Sequence, residues 1–121
     1  MPLFGLPPVL QSVTESDSRP VSLETQAELN ELVASRDRVL VELYTDSCGI
    51  CQSMEPVLDG VARTSDATVV TVNPRDDPEL IETYDVQSVP KLLLFVDGEL
   101  VETRAEGFLG VDEVLAFVDG N

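Results

Sequence analysis

From residue 20 onward, the apolar and polar positions of this chain alternate between strand-like and helix-like segments. Val21-Ser-Leu23 suits a brief strand. Thr25-Gln-Ala-Glu28 has the spacing of a capping box, in which a hydroxyl and a carboxylate satisfy the free N–H groups at a helix start. The helix it opens carries Leu29, Leu32 and Val33 on one face. Val39-Leu-Val-Glu-Leu-Tyr44 is a nearly continuous apolar run, as expected for a central strand covered on both faces. Beyond residue 48, Met54, Val57, Leu58, Val61 and Ala62 form one helical stripe. Pro56 lies within that stripe and is expected to bend the helix, because proline lacks an N–H and presses on the carbonyl of Gln52. Thr68 to Val72 reads as another buried strand. Pro78 to Tyr84 reads as a short helix with Leu80, Ile81 and Tyr84 inward.

After Pro90 the pattern changes. Lys91-Leu-Leu-Leu-Phe-Val96 and Glu99-Leu-Val-Glu-Thr-Arg104 flank Asp97-Gly98, a dipeptide that favours a tight hairpin turn. Val111, Val114, Leu115 and Val118 follow at i, i+3, i+4 and i+7, the period of a last helix. Strands alternating with helices pair in parallel, and the hairpin pairs antiparallel. The expected fold class is therefore α/β, a central mixed β-sheet flanked by helices on both faces in the order βαβαββα.

A length of 121 residues suits one domain, expected to span residues 20–121. Residues 1–19 are interrupted by Pro2, Pro7 and Pro8, with Pro20 following, and include the polar run Thr14-Glu-Ser-Asp-Ser18. They read as a poorly ordered N-terminal extension, partly docked through Leu3, Phe4 and Leu6. This start has no basic n-region and no Ala-x-Ala-like site, so it does not read as a signal peptide. No stretch approaches the roughly eighteen apolar residues of a membrane helix.

Twenty-three acidic residues against seven basic ones give a formal charge of −16. Such a surface repels nucleic acid phosphates and anionic lipid, so neither is an expected partner. It also repels itself, a penalty that molar salt relieves by shortening the Debye length to roughly 3 Å. The expectation is a protein of a salt-rich cytoplasm; the plainer alternative is an ordinary acidic cytosolic protein.

The chemistry rests on Cys48 and Cys51, the only cysteines, where the central strand gives way to a helix. Backbone N–H groups at a helix N-terminus lack intrahelical partners and favour negative charge. A thiol placed there ionises below the free value of about 8.5, and the thiolate attacks disulfides. The second cysteine, one turn on, can then attack the first and release a bound partner. Two other readings exist. Cys-x-x-Cys is half of many zinc sites, but the chain offers no histidine and no further cysteine, so no metal is expected. An inert structural disulfide this short closes too small a loop to constrain the unfolded chain. A reactive pair fits a reducing cytosol.

Val39 to Cys51 with its Cys-Gly-Ile-Cys, Met54 and Pro56 downstream, Ser88-Val89-Pro90 ahead of a Leu-rich strand, Asp97-Gly98 and Gly107 together resemble the thioredoxin family. The likeness runs from about residue 20 to the C-terminus. It implies the thioredoxin fold and protein-disulfide reductase activity that contributes to cell redox homeostasis. It also implies disulfide-containing client proteins, re-reduction by a thioredoxin reductase or equivalent donor, a cytoplasmic monomer, and no cofactor beyond the redox-active Cys48–Cys51 disulfide.

By the same resemblance, Cys48 is the exposed nucleophile and Cys51 the more buried resolving thiol, while Gly49 lets the turn pass close to a substrate backbone. Pro90 follows a cis peptide from Val89, whose backbone can pair with an extended substrate strand; the alternative is a trans proline opening a strand. Gly107 either borders the same groove or is an ordinary loop glycine. Glu42 stands where thioredoxins carry a proton-relaying aspartate, so it can serve as general base for Cys51; its alternative is an edge-exposed acid with no role. If buried, its pKa rises.

Three departures mark this chain. Ser47 replaces a tryptophan and is expected to act as the helix N-cap. Ile50 replaces a proline between the cysteines, which leaves the redox potential unassigned. Thr71 stands where a lysine often partners the buried acid. Oxidase or isomerase action of the same fold, and a non-catalytic binding module using the groove beside Pro90, remain as alternative functions.

Overall fold

The computed structural model describes residues 19–120. The expectation for residues 1–19 therefore lies, all but Arg19, outside the described residues. The elements are β1 (Val21–Leu23), α1 (Gln26–Ser35), β2 (Arg38–Leu43), α2 (Gly49–Thr64), β3 (Thr68–Val72), α3 (Glu79–Thr83), β4 (Lys91–Val96), β5 (Glu99–Arg104) and α4 (Val111–Asp119). The order βαβαββα describes the chain from β2 onward, and a β1–α1 unit precedes it.

The five strands lie in the order β1-β3-β2-β4-β5, which puts β2 at the centre. β3 pairs in parallel with both β1 and β2, and β4 pairs antiparallel with β2 and β5. At the hairpin, Asp97 and Gly98 both adopt positive φ, 52° and 86°. That is the backbone a two-residue turn needs to match the strand twist, and it is why Asp-Gly stands there.

Side chains of a strand alternate between faces, and the two faces bury two cores. Leu40, Val69, Leu92 and Leu94 pack under α2 and α4 with Met54, Leu58, Val61, Val114 and Phe117. Val39, Val41, Leu43, Val70, Val72, Leu93 and Phe95 pack under α1 and the α3 segment with Leu29, Val33 and Leu80. Glu42 follows the alternation of Leu40 and so faces α2.

The capping box is formed: Thr25 Oγ1 accepts the Glu28 N–H at 3.1 Å, and Glu28 Oε1 accepts the Thr25 N–H at 3.1 Å. Thr25→Ala should cost about 1 kcal/mol, read as a lower urea midpoint with unchanged slope.

One expectation about a face needs correction. Ile81 does not point inward; it is exposed, whereas Leu80 is fully buried and Tyr84 packs against the same core. Leu80 and Tyr84 are four residues apart and share a face, and a five-residue helix presents only one turn to the sheet. Helix α2 runs without a break from Gly49 to Thr64 through Pro56. Proline removes a single N–H there, while the stripe from Met54 to Ala62 is buried on both sides of it.

Candidate functional site

The site assembles where β2 ends and α2 begins. Cys48 is the N-cap of α2, and its Sγ accepts the backbone N–H of Cys51 at 3.0 Å. The free N–H that a helix start leaves over is thus directed at sulfur. Ser47, the cap expected from the sequence, is exposed and one residue too early, and the sulfur takes the position. Cys48 and Cys51 are joined as a disulfide with Cα atoms 5.2 Å apart. Cys48 is half-buried and Cys51 is 3% exposed. An attacking thiolate approaching from solvent therefore meets Cys48 first.

Val89 lies 41 positions from Cys48 in sequence, yet its carbonyl oxygen is 3.9 Å from Cys48 Sγ. The Val89–Pro90 peptide is cis, as the resemblance implies. Pro90 is buried, and Val89 is half-buried beside the dithiol. Gly49 and Ile50 form the exposed first turn of α2, with Ile50 47% exposed although apolar. Gly107 has φ 86°, a conformation glycine adopts without strain. It precedes Phe108, which is 54% exposed, and Leu109, whose N–H points at Met54 Sδ at 3.4 Å. That contact ties the Gly107 segment to α2.

Glu42 is not an edge acid. It is 2% exposed in the central strand, and its Oε2 has no hydrogen-bond partner. The register places it between Thr71 on β3 and Leu92 on β4, neither of which carries charge. Thr71 Oγ1 instead meets Ser22 Oγ at 3.2 Å. Burial without a cation disfavours the carboxylate, so the pKa of Glu42 rises to about 8, with the nearby charge of Glu55 adding to the rise.

Glu42 and Cys51 line one cleft of about 680 Å³, together with Tyr44, Asp46, Glu55 and Asp59. Burial first, and then the acids around it, also raise the pKa of the Tyr44 phenol. The residues missed from the sequence are therefore acidic cleft residues on α2. The available signal was helical spacing: Glu55 lies four residues after Cys51 and shares its side of the helix.

Among the described residues, no group of three or more His, Cys, Asp or Glu side chains is arranged to hold a metal ion. Nor is any helix among them long and apolar enough to cross a membrane.

The arrangement can perform thiol exchange. It has a sulfur at a helix N-terminus, a second sulfur sheltered behind it, and a buried carboxyl group in the cleft that reaches the second.

Comparison with known proteins agrees with this chemistry. The family model described as thioredoxin matches residues 20–119. A thioredoxin of Mycoplasmoides gallisepticum is 30% identical over 93 residues, which are 76% of this chain and 92% of the relative. A thioredoxin of Porphyra purpurea is 35% identical over 86 residues, 69% of this chain and 80% of the relative. The solved structure of a point-mutant thioredoxin from Halobacterium salinarum superposes with a TM-score of 0.82 at 34% identity, covering 87% of this chain and 92% of that one.

Proposed function

The chain belongs to the thioredoxin family and is a thiol–disulfide oxidoreductase with protein-disulfide reductase activity; from that premise we propose how its residues divide the work. The observation that carries the reading is the Cys51 N–H directed at Cys48 Sγ at 3.0 Å. Once the pair is reduced, that donor and the helix dipole stabilise a thiolate on Cys48.

The Cys48 thiolate attacks a client disulfide, forming a Cys48–client bond and expelling the client's other sulfur as thiolate. Cys51 then gives its proton to Glu42, and its sulfur attacks Cys48 Sγ. The internal disulfide closes and the second client sulfur leaves as thiolate. Two electrons pass to the client, and its thiolates collect two protons, one of them held in transit by Glu42. The client strand lies along the Val89 backbone beside Pro90. Ser47, Gly49, Ile50 and Gly107 border that strand, with Gly49 and Gly107 leaving room for backbone approach.

Clients are disulfide-containing proteins, and the donor that restores the dithiol is a thioredoxin reductase or its equivalent. The reading includes a single-domain unit over residues 20–121 acting as a monomer in the cytoplasm.

A redox titration of the Cys48–Cys51 couple tests the direction. A midpoint more negative than roughly −240 mV fits a reductase, whereas one near roughly −120 mV would make the protein an oxidant.

The charge of −16 supports function in a salt-rich cytoplasm. Thermal unfolding measured from dilute to molar KCl should then rise, by about 4–8 °C for each kcal/mol of repulsion that screening removes. A flat midpoint defeats the salt-rich reading and leaves the redox reading untouched.

A further inference from the structure

The acid at position 55 has no part in the exchange steps above, yet it lines the same cleft as the one buried carboxyl group, among the described residues, that does. Glu42 and Glu55 line the same cleft, Glu42 from β2 and Glu55 from α2, one helical turn beyond Cys51. The other titratable groups lining the cleft are Tyr44, Asp46, Asp59 and Cys51, so no cation among the described residues lines it.

Three cations on neighbouring elements are held elsewhere, and Arg19, which precedes the cleft-lining Pro20, does not itself line the cleft. Arg63 pairs with Asp59 at 2.9 Å. Lys91 stands opposite Leu43 and donates to the carbonyls of Tyr84 and Asp85. Arg104 occupies the row of Glu42 two strands away and pairs with Glu106 at 2.6 Å. Thr71 and Ser22, on the other side of Glu42, hydrogen-bond each other.

We propose that Glu55 is a positioning residue acting through Glu42: its uncompensated carboxylate holds the proton on Glu42, and salt loosens that hold. This rests on Glu42 being the proton acceptor for Cys51, and it adds a control that the acceptor role does not require. The Glu55 side chain is exposed, so its field is open to counter-ions in a way that the burial of Glu42 is not. As ionic strength rises, a larger share of Glu42 is ionised near neutrality and ready to take the Cys51 proton. The reductase of a highly acidic chain thus gains a pH profile that moves with salt.

The test is the carboxyl carbon signal of Glu42 in the full oxidised chain, assigned by its loss in Glu42→Gln. It is followed by NMR over about pH 5 to 10 in dilute buffer and in molar KCl. In dilute buffer, Glu55→Gln should lower the proton affinity of Glu42 about threefold to tenfold. Glu55→Asp, which restores the charge, should recover most of that affinity. Molar KCl should carry the wild type toward the Glu55→Gln value while moving Glu55→Gln itself much less.

Equal affinities in wild type and Glu55→Gln overturn the proposal, as does Glu55→Asp behaving like Glu55→Gln, or equal salt shifts in all three proteins. The acceptor reading is judged separately, by whether Glu42→Gln alters the pH dependence of mixed-disulfide resolution. Either can fail without the other.

Discussion

Replacing Cys51 with serine should leave client proteins covalently attached to Cys48, because the first exchange proceeds and the second has no sulfur to carry it. Cys48→Ser should instead lower protein-disulfide reduction on the order of 10³-fold or more and trap nothing, since Cys51 is only 3% exposed and offers a client little sulfur surface. The two cysteines are three residues apart, so a symmetrical pair would give the same result from either change. The asymmetry comes from burial and from the Cys51 N–H directed at Cys48 Sγ. Non-reducing gel mobility of each variant after incubation with a model disulfide protein checks it. Adducts on Cys48→Ser but not on Cys51→Ser would reverse the assigned roles. Adducts on neither would favour a binding module that holds partners through the groove beside Pro90.

Glu42→Gln should stabilise the protein above about pH 5 and flatten its stability against pH. The sign follows from proton counting. An unfolded glutamate titrates near 4.5, whereas the buried one titrates at about 8. Between those values the folded state binds the extra proton, so this group's contribution to stability is fully present at low pH and is lost as pH rises toward the folded value. At about 1.4 kcal/mol per pH unit, the acid costs the folded state on the order of 4 kcal/mol between pH 5 and pH 8. Glutamine keeps the shape and cannot ionise, so it escapes that loss. The difference between urea unfolding free energies of variant and wild type, taken across the pH range, isolates it from the many surface acids common to both. A constant difference would mean that Glu42 titrates as an ordinary exposed carboxylate in the folded state. Under the proposed acceptor role, the same substitution should also slow resolution by Cys51.

The missing lysine bears on the second result. Thr71 sits directly opposite Glu42, and its hydroxyl turns to Ser22, which leaves the carboxyl group with burial and like charge as its dominant influences. A cation at position 71 would lower the proton affinity that Glu55 raises. Under the proposed acceptor role, the neighbours of Glu42 set the pH at which the exchange completes.

Much of the architecture was legible in the residue pattern, because the signals are local. The threonine and glutamate of the capping box are three residues apart and bond within one turn. Asp97-Gly98 specifies its own turn through positive φ, and the stripe from Met54 to Ala62 declares one buried helix face. The dithiol at the start of α2 was readable for the same reason, since strand end, turn and helix start lie within a few residues of each other.

Contacts between distant segments were decided only by the tertiary structure. The sheet inserts β3 between β1 and β2, and this alone puts Thr71 rather than a charged side chain beside Glu42. The packing of α2 on that face turns an acid in an apolar run into a buried, unpaired group sharing a cleft with Cys51, Glu55 and Asp59. Val89 reaches Cys48 across 41 positions, and Ile81 faces solvent because only one turn of a short helix meets the sheet. Periodicity records which side of an element is apolar. Which groups meet across that side, and how strongly they hold a proton, depends on strand order and distance, which exist only once the chain has closed on itself.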